Sequence, residues 1–199
     1  MTSADSVVPR SVEPNSLHVL SVLVQDQFGV LARVAGLFSR RGFNIYSLAV
    51  APTHDARFSR ITIVVDARSA PLEQVTKQLN KLINVITISE IDPANSVERE
   101  LGLFTVEADA DAPELAAALV GFGGVEVLEH AGGSVIVSFS GKPTRVDALE
   151  NRLEALGLAE IQRTGRIALT SLPREGQLDP SGLDDSNPES SAGSESDAG

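Results

Sequence analysis

The sequence contains no cysteine, and this absence removes several classes of chemistry at once. Without thiols the chain cannot build a disulfide framework, a thiolate zinc site or a cysteine nucleophile. Its three histidines, His18, His54 and His130, do not pair at metal-ligand spacing or within an HExxH motif. The composition therefore favours an intracellular protein and indicates no metal centre.

Long apolar runs are missing as well. No stretch approaches the roughly 18 apolar residues of a membrane span, and residues 1–16 lack the apolar core of a secretory signal. Hydrophobic residues make up 42% of the chain and charged residues 22%, the balance of a globular protein with a packed core. We therefore expect a flexible N-terminus over residues 1–16, no membrane partner and a cytoplasmic location.

Positive charge is scarce, and the formal net charge is -11. Residues 175–199 contain seven acids, no base and almost nothing apolar. Such a segment cannot bury enough surface to offset the entropy of ordering it, so residues 173–199 are predicted to be a disordered acidic tail. An acidic balance repels phosphate backbones, which argues against a nucleic-acid partner.

Hydrophobic periodicity divides the first half of the chain into strands and helices. The first predicted elements are a strand over 17–24 and a helix that begins at Val30 and is ended by Gly42. A hairpin of strands over 43–51 and 57–66 follows. The last two are a helix from Pro71, with an apolar stripe that reaches Leu82 and Ile83, and a strand over 85–91. This βαββαβ order is that of a ferredoxin-like domain, in which two helices cover one face of an antiparallel sheet.

After a hinge at residues 92–96, the pattern of strands and helices repeats, ending with a strand over 166–170. Sequence identity between the two halves is low, so the repeat is one of architecture. The predicted fold class is therefore α+β, with tandem ferredoxin-like (βαββαβ) domains over 17–92 and 97–172.

The sequence contains no recognisable group of catalytic residues. Gly141-Lys142 resembles the end of a phosphate loop, but Ile136 stands where the first glycine of that loop belongs. The glycines at 121–124 follow a helix rather than a strand, so they cannot place a pyrophosphate on a helix N-terminus. No apolar stretch holds two carboxylates that could tune one another for acid–base work. We nominate no catalytic residue.

The most distinctive local feature is the first strand-to-helix turn, which reads Gln-Asp-Gln-Phe-Gly over residues 25–29. Glycine lets the backbone approach a ligand closely, and the N–H groups of the positive helix end suit a carboxylate. Asp26 can accept hydrogen bonds from an ammonium group, so the turn suits a zwitterionic amino acid. An alternative stays open, in which Gly29 makes only a tight turn and Asp26 caps the helix.

Several segments together resemble one family. They read LSVLV over 20–24, GVLARVAGLFSRRGFNI over 29–45, SLAV over 47–50, SRITIVV over 59–65 and LEQVTKQLNKLINV over 72–85. On these segments the chain resembles the small, regulatory subunits of acetolactate synthase (acetohydroxyacid synthase). The resemblance continues through VEREL at 97–101, and from residue 102 onward it becomes one of pattern, although TGRIAL at 164–169 is similar to the family's closing strand.

The resemblance implies an N-terminal ACT domain, a smaller C-terminal domain and dimerisation through the ACT domains. It also implies that the chain activates a catalytic large subunit and confers feedback inhibition by valine or a related amino acid, in the biosynthesis of valine, leucine and isoleucine. Thiamine diphosphate, magnesium and FAD are expected in the large subunit, and no cofactor is expected in this chain.

The resemblance further implies that the effector lies between two paired ACT domains. The implied contacts are Asp26, Gly29, Val30 and Leu31 in the turn of one domain, and Asn44 and Ile45 on the second strand of the other. Here the turn departs from the family's usual Glu-Asp/Asn-Lys-Pro-Gly, and Tyr46 replaces the usual acidic residue. Two other hypotheses stay open: a stand-alone amino-acid sensor with a different partner, and an enzyme that acts by itself.

Overall fold

Two α+β domains follow one another in the computed structural model, which describes residues 17–66 and 71–172. Within those residues, the first domain consists of β1 (Leu17–Gln25), α1 (Val30–Arg41), β2 (Ile45–Pro52), β3 (Phe58–Asp66), α2 (Leu72–Leu79) and β4 (Val85–Ile91). A single 3₁₀ turn, Pro93–Asn95, leads to the second domain. That domain consists of β5 (Ser96–Val106), α3 (Pro113–Leu119), β6 (Glu126–Ala131), β7 (Ser134–Gly141), α4 (Pro143–Glu154), β8 (Leu158–Arg163) and β9 (Ile167–Thr170).

Both domains have the strand order of a split βαβ arrangement. The first sheet runs β2-β3-β1-β4 and the second runs β6-β7-β5-β8, and the neighbouring strands pair antiparallel. In each sheet the first strand of the domain lies in the centre, between the third and the fourth. The predicted α+β fold class, with tandem βαββαβ domains, is therefore confirmed.

Strand β9 is an addition to this pattern. It pairs with the first four residues of β5, Ser96–Arg99, whereas the remainder of β5 pairs with β7 and β8. The sequence predicts a strand at this position, over 166–170, but does not show where the strand lies. The structure places it against the first domain, where Ala168 packs with Val19 and Val64.

The nearly unbroken apolar run of β1 is explained by burial of both faces of the first sheet. Leu20 belongs to the core between the sheet and its two helices. Its neighbour Val19 belongs to a second cluster on the opposite face, with Val64, Ile91 and Ala168 of β9. Because successive residues of a strand face opposite sides, a strand buried on both faces favours apolar residues at nearly every position.

Helix α1 ends as its glycine predicts. Gly42 has φ 68°, in the left-handed region, and its N–H donates to the carbonyl of Ser39 at 3.2 Å. The N–H of Phe43 donates to the carbonyl of Phe38 at 3.0 Å, and their rings pack edge to face with centroids 5.9 Å apart. This is a Schellman motif with its hydrophobic contact, and the predicted role of Gly42 is confirmed.

Helix α2 is shorter than its apolar stripe suggests. It ends at Leu79, so the prediction that it continues through Leu82 and Ile83 was wrong. The N–H of Leu82 donates to the carbonyl of Leu79, an i→i+3 bond that tightens the chain into a turn. Leu82 still packs against the core, but Ile83 is 88% exposed. The chain must enter β4 at Val85, which leaves no length for another helical turn.

The two domains contact each other through an interdomain joint, formed by Ser47 on β2 and by Gly165 and Arg166 just before β9. The main-chain N–H of Arg166 donates to Oγ of Ser47 at 3.0 Å. Within the second domain, the Arg166 guanidinium pairs with Glu98 of β5 at 3.3 Å, and both side chains are largely buried. The second domain is thereby held against the edge strand of the first sheet.

Close packing at the interdomain joint predicts that Gly165→Ala destabilises the protein more than an ordinary glycine replacement. A Cβ at Gly165 lies 2.8 Å from Oγ of Ser47 and 3.3 Å from the carbonyl oxygen of Leu48, in a residue with φ +82°. We expect a loss of about 2–4 kcal/mol of unfolding free energy, from backbone strain and overpacking together.

Gly124→Ala is the matched control in urea unfolding followed by circular dichroism. Gly124 has φ +84° but nothing within 4 Å of its Cβ position, so it isolates the backbone strain. Equal losses in the two variants would contradict the close contact between the domains.

Some predictions concern other parts of the chain. The flexible N-terminus (residues 1–16) and the disordered acidic tail (173–199) lie outside the described residues. Within the ranges 17–66 and 71–172, no helix combines the length and the apolar character needed to cross a membrane.

Candidate functional site

The β1–α1 turn, residues 26–29, is held at both ends by main-chain hydrogen bonds. The N–H of Asp26 donates to the carbonyl of Arg57 at 2.7 Å, which ties the turn to the start of β3. The N–H of Val30 donates to the carbonyl of Gln27 at 3.3 Å. The turn therefore lies at the end of the sheet where β1 finishes and the β2–β3 hairpin reverses.

Gly29 shapes this turn and leaves it open. Its φ is 81°, in the left-handed region that favours glycine, and a Cβ at this position would meet nothing within 4 Å. Gly29 is the N-cap of α1 and has no side chain, so Asp26 does not occupy the cap position of the helix. The N–H groups of Leu31 and Ala32 lie in the first helical turn, where the helix offers no carbonyl partner. The helix presents a positive, open end to an anion.

The two residues that follow Gly29 differ in the exposure of their side chains. Val30 is only 5% exposed and belongs to the core of the first domain, so its side chain is not available to a ligand. Leu31 is 42% exposed on the surface beside the turn. Of the two, Leu31 is the residue that can present an apolar side chain to a ligand.

Asn44 and Ile45 lie at the opposite end of the sheet from the turn. Gln25, just before the turn, pairs with Phe58 at the start of β3, whereas Ile45 pairs with Val65 near its end. These positions are seven residues apart along β3, a distance of roughly 23 Å at the rise of an antiparallel strand. The six implied effector contacts therefore do not meet within one chain.

Asn44 lies beside an edge strand of the first sheet. Strand β2 lies at the edge of the first sheet, and Asn44, just before it, is exposed. The arrangement excludes a site built from all six residues of one chain and is compatible with a site between two.

Asn84 is a residue that sequence reasoning missed. It is 5% exposed, in the turn between α2 and β4, and its Nδ2 donates to Oε1 of Gln25 at 2.9 Å and of Gln27 at 3.2 Å. Its Oδ1 accepts a hydrogen bond from Arg33 of α1. The only local signal was a polar residue inside the otherwise apolar segment 82–86.

Of the two arginines near the turn, Arg57 is paired with a carboxylate and Arg33 with an amide. Arg57, next to the turn, is matched by Asp55, to which its guanidinium donates at 2.6 Å. Hydrogen bonds from the side chain and the main chain of Arg57 lower the pKa of Asp55. Arg33 is bound instead to the neutral amide of Asn84, so its positive charge adds to that of the helix end.

The groups around the turn suit the binding of a small zwitterion with an apolar side chain. The open helix end suits a carboxylate, the exposed Asp26 suits an ammonium group, and Leu31 suits an apolar side chain. In the part of the chain that the structure describes, no three histidine, aspartate or glutamate residues are grouped so as to hold a metal ion.

Comparison with protein families finds two matches along the chain. A family described as an AHAS small subunit-like ACT domain matches residues 20–87. A family described as the small subunit of acetolactate synthase matches residues 99–172. Each match covers most of one domain.

Similar proteins cover most of the chain. The acetolactate synthase small subunit of Mycobacterium bovis is 50% identical over 157 residues, which span 79% of this chain and 94% of that protein. The acetolactate synthase small subunit of Mycolicibacterium smegmatis is 48% identical over the same length, spanning 92% of that protein. The crystal structure of the acetolactate synthase small subunit from Thermotoga maritima matches with a TM-score of 0.71 at 34% identity, covering 79% of this chain and 99% of that one.

Proposed function

The chain belongs to the family of acetolactate synthase small subunits, and on that premise we propose that it regulates a catalytic subunit by binding a branched-chain amino acid. A small subunit implies a large catalytic partner. In this proposal the active site, thiamine diphosphate, magnesium and FAD belong to the large subunit, and this chain holds no cofactor. The chain activates its partner and confers feedback inhibition by valine, in the cytoplasm, in the biosynthesis of valine, leucine and isoleucine.

The open N-terminus of α1 at Gly29 is the observation that carries the proposal. An amino acid has a carboxylate, an ammonium group and a side chain. The helix end, Asp26 and Leu31 offer a complementary partner to each of the three. Because Asn44 lies at the far end of the same sheet, the complete site requires a homodimer of ACT domains. Its amide both donates and accepts, so it suits either end of the ligand.

An effector alters activity only if it binds one state of the enzyme better than another. In the proposed site the ligand contacts the start of β2, and Ser47 of the same strand is bound to Arg166 at the interdomain joint. A change at the effector site therefore has a packed route to the second domain. This arrangement supports regulation of a partner that contacts either domain.

The second candidate is a stand-alone amino-acid sensor that acts on a different partner. It uses the same effector site and differs only in the protein that it regulates. Copurification of a large enzyme that contains thiamine diphosphate, rather than any other protein, distinguishes the two.

The proposed function is tested by mixing the purified chain with its cognate large subunit and measuring acetolactate formation from pyruvate, with and without valine. We expect activation by the chain and reversal of that activation by valine. Activation with no response to valine would leave the family role standing and overturn the effector. No activation would favour the stand-alone sensor.

A further inference from the structure

Asn84 uses all of its side-chain amide donors in holding the β1–α1 turn. Its two Nδ2 hydrogens bind Gln25 and Gln27, and its Oδ1 accepts from Arg33. Its main-chain carbonyl also accepts the N–H of Gln25 at 2.9 Å. A buried amide that is satisfied in this way is costly to disturb, because its removal leaves several polar partners unpaired.

The partners of Asn84 lie on both sides of Gly29. Gln25 ends β1, Gln27 lies within the turn, and Arg33 lies one helical turn into α1. They are separated from Asn84 by 51 to 59 residues along the chain. One side chain therefore ties together the strand, the turn and the helix that form the proposed effector site.

We propose that Asn84 is a positioning residue for the amino-acid effector. It does not touch the ligand but holds residues 26–29 in the conformation that receives the ligand's carboxylate, and it keeps the Arg33 guanidinium at the same helix end. A turn that is already ordered binds at lower entropic cost than one that must be ordered by the ligand. This inference rests on the proposed function, since it concerns the same site.

The test measures the dissociation constant of valine for the full chain by isothermal titration calorimetry. Asn84→Ala is expected to weaken valine binding by about tenfold or more, since residues 26–29 lose their side-chain anchor. Asn80→Ala is the matched control, because Asn80 is an exposed asparagine at the end of α2. It should leave the dissociation constant unchanged.

A double-mutant cycle separates positioning from a general loss of stability. If Asn84 acts through Gln27, then Gln27→Ala weakens binding in the wild-type background but adds little in the Asn84→Ala background. Asn84→Asp should restore most of the affinity, because aspartate accepts from Arg33 and from glutamine amides that have rotated to donate. If Asn84 served only to stabilise the fold, its replacement would lower the melting temperature. Gln27→Ala would then have the same effect on the dissociation constant in both backgrounds, and Asn84→Asp would bind valine no better than Asn84→Ala.

Hydrogen exchange without ligand provides a readout that does not depend on valine. Asn84→Ala should raise the exchange rate of the main-chain amides in residues 26–29, and Asn80→Ala should not. Wild-type protein that fails to bind valine overturns valine as the proposed effector and leaves the family role standing. Wild-type binding with an equal dissociation constant in Asn84→Ala, or unchanged exchange of residues 26–29, overturns the role of Asn84 alone.

Discussion

Gly29→Asp is expected to abolish effector binding and, with it, inhibition by valine. The new carboxylate would lie at the open end of α1, where the ligand's own carboxylate is proposed to bind. Like charges brought together in a binding site cost several kcal/mol, so we expect at least a ~100-fold loss of affinity, about 2.7 kcal/mol. Calorimetry with valine and the acetolactate assay with the large subunit measure the two effects separately.

Gly29→Asn is the control that separates charge from backbone strain. Asparagine and aspartate have nearly the same shape and are the residues that best tolerate the left-handed region, which Gly29 occupies at φ 81°. The space around the Cβ position is empty, so neither side chain meets a steric barrier there. Equal losses of affinity in the two variants would show that the backbone, and not the anion position, is responsible.

Mixing Gly29→Asp with Asn44→Ala, which removes the amide proposed to bind the ligand, tests whether the site lies between two chains. A dimer of one Gly29→Asp chain and one Asn44→Ala chain keeps one site that has an intact turn and an intact Asn44. Random pairing should therefore recover about a quarter of the wild-type sites, while each variant alone recovers none. Absence of recovery, with dimers present in sedimentation, would place the site within a single chain and contradict the proposed geometry.

Arg163→Leu is expected to cause the largest loss of stability. Arg163 of β8 donates two hydrogen bonds to Glu100 of β5, at 3.1 Å and 2.7 Å, and also pairs with Asp147 and Glu150 of α4. Burial favours its neutral form, yet hydrogen bonds to Glu100 and Asp147 outweigh burial and raise the pKa of Arg163. Glu100 is only 7% exposed, so removing its partner should cost about 3–5 kcal/mol.

Two further variants make this expectation specific. The double variant Arg163→Leu with Glu100→Leu removes the buried charge as well, and it should recover most of the lost stability. Arg57→Leu breaks the pair between the exposed Arg57 and the partly buried Asp55, and it should change the urea midpoint far less. If the double variant is no more stable than Arg163→Leu, the loss comes from packing rather than from the uncompensated carboxylate of Glu100.

Local patterns in the sequence were sufficient for most of the fold. The apolar run of β1, the 3.6-residue spacing of α1 and the glycine at its end each act over a few residues, and the structure confirms all three. The end of α2 was the exception among the first-domain elements. The apolar stripe continued past Leu79, but the position at which β4 must pair with β1 decided where the helix stopped.

The candidate site likewise has features that the local sequence predicts and features that depend on the tertiary structure. The turn at Gly29 was visible in the sequence, because a glycine between a strand and a helix has a local meaning. That Asn44 lies about 23 Å away along the sheet was not visible, because it follows from the antiparallel register of three strands. That Val30 is buried while Leu31 is exposed depends likewise on how α1 packs against its sheet.

By itself the sequence determined the tandem α+β architecture, the family and the turn that is proposed to bind the effector, since each depends on periodicity or on residues close together in the chain. Only the tertiary structure decided the role of Asn84, the position of β9 and the ion pairs of Arg163. These contacts join residues that are mostly more than 50 positions apart. Their pairing is settled by how complete elements pack against one another, and no local preference of the chain encodes it.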